Sequence, residues 1–438
     1  MTKNVKVGVI SLGCDKNRVD TEKMLYLISE KYQIVSDIDT ANVVIINTCA
    51  FLKTAREEAI YEILSTAGLK QNGILKKIIV TGCLPQYFID DIFNDLPEVD
   101  GFLGVSDYSS ICSVIEKVMS GERVRQVGQP KNEQLCFRTL TTKNHAYLKI
   151  ADGCSNHCTY CLIPKIRGKY RSVSLDALVE EAKSLGKVNE LILVAQDVTC
   201  YGYDLQPKTT LVELLRRLSA LSNISGIRLL YCYPENITDE LIHEIKVNAK
   251  IIRYLDIPFQ HADDKILKLM NRRGTGSEYL ELVEKLKREI PGVAIRSTFI
   301  AGFPSESEQA FENLVEFIKN AKLFNAGFFK YSKEEGTASF NLDGHLPESI
   351  KTKRVKKLYS EQKKVVKANY KNLIGKTFKV LAEGFSEDRI TYFGRPYFFA
   401  PEIDGKVYFF SGEEVEYGKF YDVKIISYDG YDLYGERQ

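Results

Sequence analysis

The sequence predicts an α/β protein built from three modules: an N-terminal parallel α/β sheet domain, a central partial (β/α)6 barrel and a C-terminal small antiparallel β barrel. Apolar runs alternate with helix-like stretches through residues 1–138, and six further strand–helix units follow within residues 143–370. The tail, residues 371–438, is rich in Tyr, Phe and Gly in alternating patterns. Continuous apolar strands separated by helices are typical of parallel sheets covered on both faces.

The first module contains three apolar runs that predict strands, at residues 5–12, 42–48 and 76–82: "VKVGVISL", "NVVIINT" and "KKIIVTG". Helix-like stretches such as "TAREEAIYEILSTAGLK" lie between them. No GxGxxG motif follows the first run, so the sequence gives no support to a dinucleotide site. A polar, poorly periodic stretch that ends near residue 143 predicts a linker to the next module.

The second module contains six strand candidates that alternate with helical patterns: "AYLKIAD", "ELILVAQD", "IRLLYCYP", "YLDIPFQ", "VAIRSTFIAGFP" and "AGFFKYS". Six such units predict an incomplete (β/α) barrel, whose chemistry is expected at the carboxyl ends of the strands. A basic helix is predicted over residues 351–376. Its charge is interpreted as a solvated face, with RNA contact as the alternative. The alternating runs after it predict the small β barrel.

Composition sets limits on the function. A chain of 438 residues with 44% hydrophobic content fits two or three folded domains, and its net charge of +2 indicates neither nucleic acid nor membrane as a partner. The start of the sequence lacks the apolar core of a signal peptide, and no apolar run approaches the roughly 18–20 residues of a membrane span. We therefore expect a soluble cytoplasmic protein with no membrane partner. In such a protein the ten cysteines are expected to be ligands or buried thiols rather than disulfides.

Three cysteines of the first module, here named the N-terminal cysteine set, follow its apolar runs by one or two residues: Cys14, Cys49 and Cys83. Successive members are 35 and 34 residues apart, about one strand–helix unit. Because the carboxyl ends of parallel strands lie at one edge of a sheet, the three thiols are expected to converge. Three thiolates suit an iron–sulfur cluster or zinc. The alternative is three buried small hydrophobic residues.

A second group, the barrel cysteine set, consists of Cys154, Cys158 and Cys161 in "GCSNHCTYC", directly after the first strand of the second module. A 4Fe–4S cluster on three cysteines leaves one iron open for a substrate or cofactor. Zinc would need His157 or Cys136 as a fourth ligand, and His157 lies between two ligands in a tight loop. The remaining cysteines fit neither set and are interpreted as ordinary thiols: Cys112, Cys136, Cys200 and Cys232.

The spacing C-x3-C-x2-C, with Tyr160 just before the last cysteine, resembles the radical S-adenosylmethionine superfamily. The resemblance implies that the open iron binds the amino and carboxylate groups of S-adenosylmethionine. An electron from the cluster then cleaves this cofactor to a 5′-deoxyadenosyl radical. In such enzymes the cofactors carry the difficult chemistry, while the protein binds, orients and excludes water.

Motifs across nearly the whole chain resemble the methylthiotransferases: "SLGCDKNRVDTEKM", "NTCAF", "GCLPQ", "GCSNHCTYCLIPKIRG", "VAQD", "DIPFQHADDKILKLMNR" and "TFIAGFP". "GCDKNRVDTE" and the "APEIDG" of the tail are similar to the branch that acts on ribosomal protein S-twelve. Asp15 stands where that branch has proline, and "YRSVSL" stands where RSRP is usual. The resemblance implies two 4Fe–4S clusters. The cluster on the barrel set generates the radical, the auxiliary cluster on the N-terminal set supplies sulfur, and a second S-adenosylmethionine supplies the methyl group.

Four residues outside the cysteine sets are predicted to bind S-adenosylmethionine. Gly302 and Pro304 end the fifth barrel strand, where the family places backbone near the adenine; a plain turn is the alternative. Gln196 lies at the carboxyl edge of the second barrel strand, which faces the site. Together with Asp197 it is expected to hold the methionine end of the cofactor, with the substrate as the alternative. Tyr160 is predicted to lie along the cofactor, with simple packing as the alternative. His261 is a candidate substrate contact or a helix cap.

The predicted reaction is methylthiolation of an aspartate β-carbon in ribosomal protein S-twelve, free or in the small ribosomal subunit. Its expected partners are an electron donor such as flavodoxin or ferredoxin and a sulfur donor. Two alternatives are an enzyme of the same chemistry that acts on a tRNA adenosine, and a non-catalytic metal-binding RNA-interaction protein.

The charge of the third module favours the protein substrate. Residues 371–438 contain nine Lys plus Arg and twelve Asp plus Glu, which is a net charge near −3. An RNA-binding barrel should be positive towards phosphates, whereas complementary charge would steer a basic protein loop towards an acidic barrel. The acidic residues expected to do so include Glu402, Asp404, Glu413, Glu414 and Glu416.

Overall fold

The computed structural model describes residues 5–132, 135–387 and 390–438. Its first module contains strands β1 (Lys6–Ser11), β2 (Gln33–Ile34), β3 (Val43–Thr48), β4 (Lys77–Gly82), β5 (Gly101–Leu103) and β6 (Val124–Gln126), and helices α1 (Asp15–Lys31), α2 (Lys53–Gly68), α3 (Cys83–Asp95) and α4 (Ile111–Met119). The strands form one parallel sheet in the order β2-β1-β3-β4-β5-β6. The three strands predicted from apolar runs are confirmed as β1, β3 and β4.

The centre of this sheet is fully covered. Every residue of β3 is buried, as expected for a continuous apolar strand between two helix layers. Helix α1 is different, because its buried residues are mostly polar or charged. This helix lies between the first sheet and the second module, and its buried Asp20 and Asn17 pair with groups of that module. Its buried Glu22 pairs with Arg138, which precedes the second module. The partners compensate for the free energy lost when polar groups leave water.

The second module contains strands β7 (His145–Lys149), β8 (Ala151–Asp152), β9 (Arg171–Ser172), β10 (Glu190–Val194), β11 (Ile227–Leu229), β12 (Ile251–Asp256), β13 (Ala294–Ala301) and β14 (Asn325–Lys330). Its helices are α5 (Ile163–Arg167), α6 (Leu175–Ser184), α7 (Leu211–Ser219), α8 (Asp239–Val247), α9 (Asp264–Leu269), α10 (Gly276–Glu289), α11 (Glu308–Ala321) and α12 (Glu348–Lys371). Six strands form a parallel sheet in the order β14-β13-β12-β11-β10-β7, so the six predicted barrel strands are confirmed. The short antiparallel pair β8–β9 was not predicted.

The basic helix is α12, and part of its charge is not at the surface. Lys351 and Arg354 lie on a buried face with Leu358. Arg354 pairs with the buried Glu306 at 2.6 Å, and Lys351 Nζ donates to the Tyr331 carbonyl at 3.0 Å. Among the described residues, no helix combines the length and apolar character that crossing a bilayer requires.

The third module is a closed barrel of strands β15 (Thr377–Phe385), β16 (Tyr392–Arg395), β17 (Val407–Phe410), β18 (Phe420–Asp429) and β19 (Asp432–Arg437), in the order β15-β16-β17-β19-β18. The barrel prediction is confirmed with one difference, because β17 and β19 pair in parallel. A closed ring of five strands cannot alternate in direction all the way round. The α/β fold class is thus confirmed, while the limits 1–138, 143–370 and 371–438 stay predictions.

Candidate cofactor site

The N-terminal cysteine set lies at the carboxyl edge of the first sheet. Cys14 follows β1 as the residue that precedes α1, Cys49 follows β3, and Cys83 begins α3 directly after β4. Since β1, β3 and β4 are neighbours, the three thiols are brought to one place. Gly13 makes the approach possible: its φ is +93°, and a Cβ there would lie 2.8 Å from the Cβ of Cys49.

The members of this set affect one another electrostatically. Burial raises the pKa of the Cys83 thiol to about 12, the Arg167 guanidinium opposes this rise, and charge on Cys49 or Cys14 adds to it. Burial also raises the pKa of Cys49. Because metal ligation needs thiolates, cluster binding here would release protons. Cys14 also lines a cavity of about 470 Å³.

The barrel cysteine set is held in one loop by backbone hydrogen bonds. The Cys154 N–H donates to the Gly168 carbonyl at 3.1 Å, and the Cys161 N–H donates to the Cys158 carbonyl at 3.0 Å. The Ile163 N–H donates to Cys161 Sγ at 3.4 Å. The loop after the first barrel strand is therefore fixed through its backbone, and one of its thiols, that of Cys161, accepts a backbone hydrogen bond. Burial raises the pKa of Cys154 to about 11.

Tyr233 and Arg272 stand beside this loop. Tyr233 Oη lies 3.8 Å from Cys158 Sγ. The Arg272 guanidinium lies over the Tyr233 ring, 3.8 Å from its centroid, and is largely buried. Tyr160 is half-buried and packs on the cluster of apolar residues that contains Phe303. This contact agrees with the packing interpretation of Tyr160, and its contact with the cofactor stays a prediction.

Gln196 has the free acceptor that a bound ligand would need. Its Nε2 donates to Asp152 Oδ1 at 3.2 Å, while its Oε1 is buried and has no hydrogen-bond partner among the described residues. A buried acceptor of this kind is uncommon, and a ligand ammonium group would satisfy it. The neighbouring Asp197 accepts hydrogen bonds from Thr199 and Asn236, so its carboxylate holds the loop together.

Gly302 and Pro304 lie in a buried turn whose centre is Glu306, a residue that the sequence analysis missed. The N–H groups of Gly302 and Phe303 donate to Glu306 Oε2 at 2.8 and 3.3 Å. Gly302 has a φ of +80°, and a Cβ there would lie 2.4 Å from Lys351 Cγ, so contact with α12 alone requires glycine. In the sequence, a glutamate four residues after this glycine is the feature from which Glu306 could have been found.

His261 belongs to the same turn and not to an exposed substrate surface. The residue is fully buried. Its Nε2 lies 3.3 Å from Glu306 Oε2, and its Nδ1 accepts a hydrogen bond from the Asp263 N–H at 3.0 Å. The carboxylate that caps the start of α9 is that of Asp263, and His261 accepts the backbone N–H of this cap residue. Neither interpretation of His261 is therefore confirmed.

The proposed zinc ligands do not gather around the barrel set. The described contacts of Cys136 are with α6, since its Sγ lies 3.9 Å from the Ala177 carbonyl. His157 is exposed. In residues 5–132, 135–387 and 390–438, no group of three or more His, Cys, Asp or Glu has the arrangement that a single metal ion needs. The ligand assignments of both cysteine sets therefore stay predictions.

A cavity of about 570 Å³ opens beside the barrel cysteine loop. The loop contributes Ser155 and Asn156 to its wall, and the segments after β10 and β11 contribute Asp197 and Asn236. The cavity thus lies at the carboxyl edge of the barrel, where ligands of such folds bind.

Three family models match the chain. The model of the radical SAM superfamily matches residues 148–318, that of the uncharacterized protein family UPF0004 matches residues 6–104, and that of the TRAM domain matches residues 374–437. Among solved structures, TsrM from Kitasatospora setae is similar with a TM-score of 0.53 at 14% identity over 75% of each chain. OxsB is similar with a TM-score of 0.53 at 11% identity over 84% of this chain and 61% of that one. Such low identities show a shared fold only.

Relatives of much higher identity match the chain from end to end. The ribosomal protein uS12 methylthiotransferase RimO of Acetivibrio thermocellus is 45% identical over 447 residues, which cover 98% of each chain. The proteins of the same name from Clostridium kluyveri and Thermoanaerobacter sp. are 46% and 44% identical, and the matches cover 98% of this chain and 98% and 99% of theirs. The branch predicted from the motifs is confirmed, and the chain belongs to the RimO family of radical S-adenosylmethionine methylthiotransferases.

Proposed function

We propose that this protein attaches a methylthio group to the β-carbon of an aspartate in ribosomal protein uS12. The observation that carries the proposal is the similarity of 44–46% identity over 98–99% of the chain to proteins named as uS12 methylthiotransferases. Two sets of three cysteines at the carboxyl edges of two parallel sheets support the same chemistry. When bound, two 4Fe–4S clusters and S-adenosylmethionine supply the radical, the sulfur and the methyl group.

The residues divide this work between the two modules. Cys154, Cys158 and Cys161 would hold the cluster that binds S-adenosylmethionine, and the free Gln196 Oε1 would accept a hydrogen bond from the ammonium group of its methionine part. The turn that contains Gly302 and Pro304 would bound the other end of the cofactor. Glu306 holds this turn by accepting two of its backbone N–H groups.

The auxiliary cluster would be held by the N-terminal cysteine set. The carboxyl edge of the first sheet contacts the second module, because Asn17, three residues after Cys14, accepts a hydrogen bond from Arg167 of α5. A second contact joins the modules where Asp15 Oδ2 accepts from Tyr231 Oη at 3.1 Å. Residues next to both cysteine sets therefore lie where the two modules contact each other. Product formation would also need an electron donor, such as flavodoxin or ferredoxin, and a sulfur donor.

The acidic surface of the third module supports a basic protein as substrate, although fewer residues contribute than the sequence suggested. Asp404 is buried and accepts hydrogen bonds from Tyr254 and Asn325. Glu402 pairs with Arg18 of the first module at 2.7 Å. These two carboxylates join modules and do not attract a substrate. The exposed carboxylates that remain are those of Glu413, Glu414 and Glu416.

The experiment that tests the proposal compares three substrates. Anaerobically reconstituted enzyme is incubated with S-adenosylmethionine, a reductant and sulfide, together with free uS12, small ribosomal subunits or bulk tRNA. Mass spectrometry of protein and nucleosides should find one methylthio group on a uS12 aspartate and none on adenosine. A tRNA product with unmodified uS12 would assign the other substrate, and a preparation without iron and sulfide would remove the enzyme proposal altogether.

A further inference from the structure

Arg167 belongs to the second module but reaches the cysteines of the first. It ends α5, six residues after Cys161, and only 1% of its surface is exposed. Its Nη2 lies 3.6 Å from Cys83 Sγ and donates to Asn17 Oδ1 at 2.6 Å. A short helix that begins beside one cysteine set thus ends with its guanidinium against the other set.

The other side of the guanidinium leads back to the predicted S-adenosylmethionine site. Arg167 Nη1 donates to Asp152 Oδ2 at 2.8 Å. Asp152 Oδ1 accepts from Gln196 Nε2 at 3.2 Å, and from the Gly153 N–H at 2.8 Å. Asp152 precedes Cys154 by two residues. An unbroken series of polar contacts therefore runs from Gln196 through Asp152 and Arg167 to Cys83.

The charges around this series are balanced before any cluster is present. Lys149 Nζ donates to both Asp20 and Asp152, so two cations and two carboxylates face one another in a buried site. A 4Fe–4S centre on three thiolates is anionic, and one-electron reduction makes it more so. The potential of such a centre depends on net charge and on hydrogen bonds to its sulfur atoms. Arg167 is placed to provide both a positive charge and a hydrogen bond to the sulfur atom of Cys83.

We propose that Arg167 is a positioning residue that joins the two cofactor sites. Through Asp152 it fixes Cys83 relative to the barrel cysteine loop, and its charge raises the reduction potential of the N-terminal cluster. The inference rests on the proposed function, since it requires a cluster on Cys14, Cys49 and Cys83. A planar guanidinium suits this role because it holds Asn17, Asp152 and the thiolate at once in a fixed geometry.

The test isolates the N-terminal cluster in the full-length chain. Cys154, Cys158 and Cys161 are changed to alanine, the protein is reconstituted, and the remaining cluster is titrated potentiometrically with detection by electron paramagnetic resonance. In this background, R167Q should lower the ratio of reduced to oxidised cluster about tenfold at a fixed potential, which is about 59 mV for a one-electron couple. R167K keeps the positive charge, so its reduction potential should be close to that of the parent protein.

Arg138 provides the matched control. Its side chain is equally buried between the first module and the barrel, where it pairs with Glu22 of α1 at 2.8 Å, but no described contact joins it to a cysteine. R138Q should leave the potential unchanged even if the protein loses stability. Loss of iron from R167Q, with R138Q and R167K still loaded, would also support the proposed link.

Two other results would contradict the inference in different ways. If R167Q holds a full cluster at the potential of the parent protein, Arg167 has no such role and the proposed function is unaffected. The same conclusion holds if R167K is loaded and is shifted as far as R167Q. If the parent protein itself binds no iron, the N-terminal cluster of the proposed function is wrong, and the inference is wrong with it.

Discussion

The N-terminal and barrel cysteine sets offer the same three donors but are assembled in opposite ways. Cys14, Cys49 and Cys83 come from three strand ends, and the order of strands in a sheet brings them together. The barrel set comes from one loop of eight positions, held by its own backbone. The first arrangement depends on long-range topology and the second on local geometry. Distant substitutions should therefore disturb the first site more easily than the second.

The two sets also differ in how a buried arginine stands beside them. Arg167 lies within 3.6 Å of Cys83 Sγ, with no group between. Arg272 lies over the ring of Tyr233, and only the hydroxyl of that tyrosine approaches Cys158. The guanidinium of Arg167 therefore lies directly against a thiol of the N-terminal set, whereas that of Arg272 lies against the Tyr233 ring. The two sets therefore differ in which group lies nearest to their thiols.

The largest expected effect separates the roles of the two sets. Changing Cys154, Cys158 and Cys161 to alanine should abolish 5′-deoxyadenosine formation, because the barrel then holds no open iron to bind and reduce the cofactor. Changing Cys14, Cys49 and Cys83 should leave cofactor cleavage while ending methylthiolation. Both products are measured by liquid chromatography with mass spectrometry. Methylthiolated uS12 made by the second triple variant would show that the sulfur does not come from that set.

A second expected effect concerns the turn beside the predicted cofactor site. In E306Q the buried Arg354 loses its buried ionic partner, and breaking a buried ion pair costs about 3–5 kcal/mol of the free energy of unfolding. E308Q is the matched control, because it removes the exposed partner of the same arginine at a cost of about 0–1 kcal/mol. Urea denaturation of both apo variants measures the difference. Equal losses would show that the turn does not depend on Glu306.

The pH dependence of this effect has a defined sign. Burial acts to raise the pKa of Glu306, but hydrogen bonding to His261 and the charge of Arg354 outweigh it and lower the pKa. A carboxyl with a lowered pKa stabilises the fold above the ordinary glutamate pKa of about 4.3. The stability gap between wild type and E306Q should thus be full at neutral pH and shrink as pH falls below that value.

Sequence reasoning succeeded where patterns are local or periodic. The strands around both cysteine sets follow from apolar runs, and the cysteines themselves follow from their place after those runs. Arg167, Glu306 and the buried face of α1 were not predicted. In "DKNRVDTEK" the sequence resembles a solvated helix end, but Asp20 and Glu22 are buried because their partners, Lys149 and Arg138, lie more than a hundred residues later. A local sequence pattern cannot predict ion pairs between residues so far apart in the chain.

A smaller effect tests the local character of the barrel loop. Gly153 has a φ of +77°, and a Cβ there would lie 2.2 Å from the Lys169 carbonyl oxygen. G153A should lose the barrel cluster while keeping the N-terminal one, so iron should fall by about half from the roughly eight atoms of two cubes. Gly121 has a φ of +97° with open space around it, so G121A controls for backbone strain of about 1–2 kcal/mol. Iron analysis after reconstitution compares G153A with G121A. Equal iron in the two variants would show that the barrel loop tolerates a side chain at residue 153.

The smallest expected effect concerns the acidic surface of the third module, which lies outside both sites. Glu413 pairs with Arg437 and Glu416 with Lys419, each at 2.7 Å, so part of this charge is already neutralised within the module. Complementary charge mainly speeds encounter and rejects wrong partners, and salt screens it over about 10 Å at 0.1 M ionic strength. Reversing Glu413, Glu414 and Glu416 to lysine should therefore slow uS12 modification only a few-fold, most clearly at low salt. Cofactor cleavage without substrate should not change, because both cysteine sets are untouched. The initial rate of methylthiolation, measured across a series of salt concentrations, checks this expectation. If the rate is independent of salt in both the wild type and the triple variant, the acidic surface of the third module takes no part in substrate recognition.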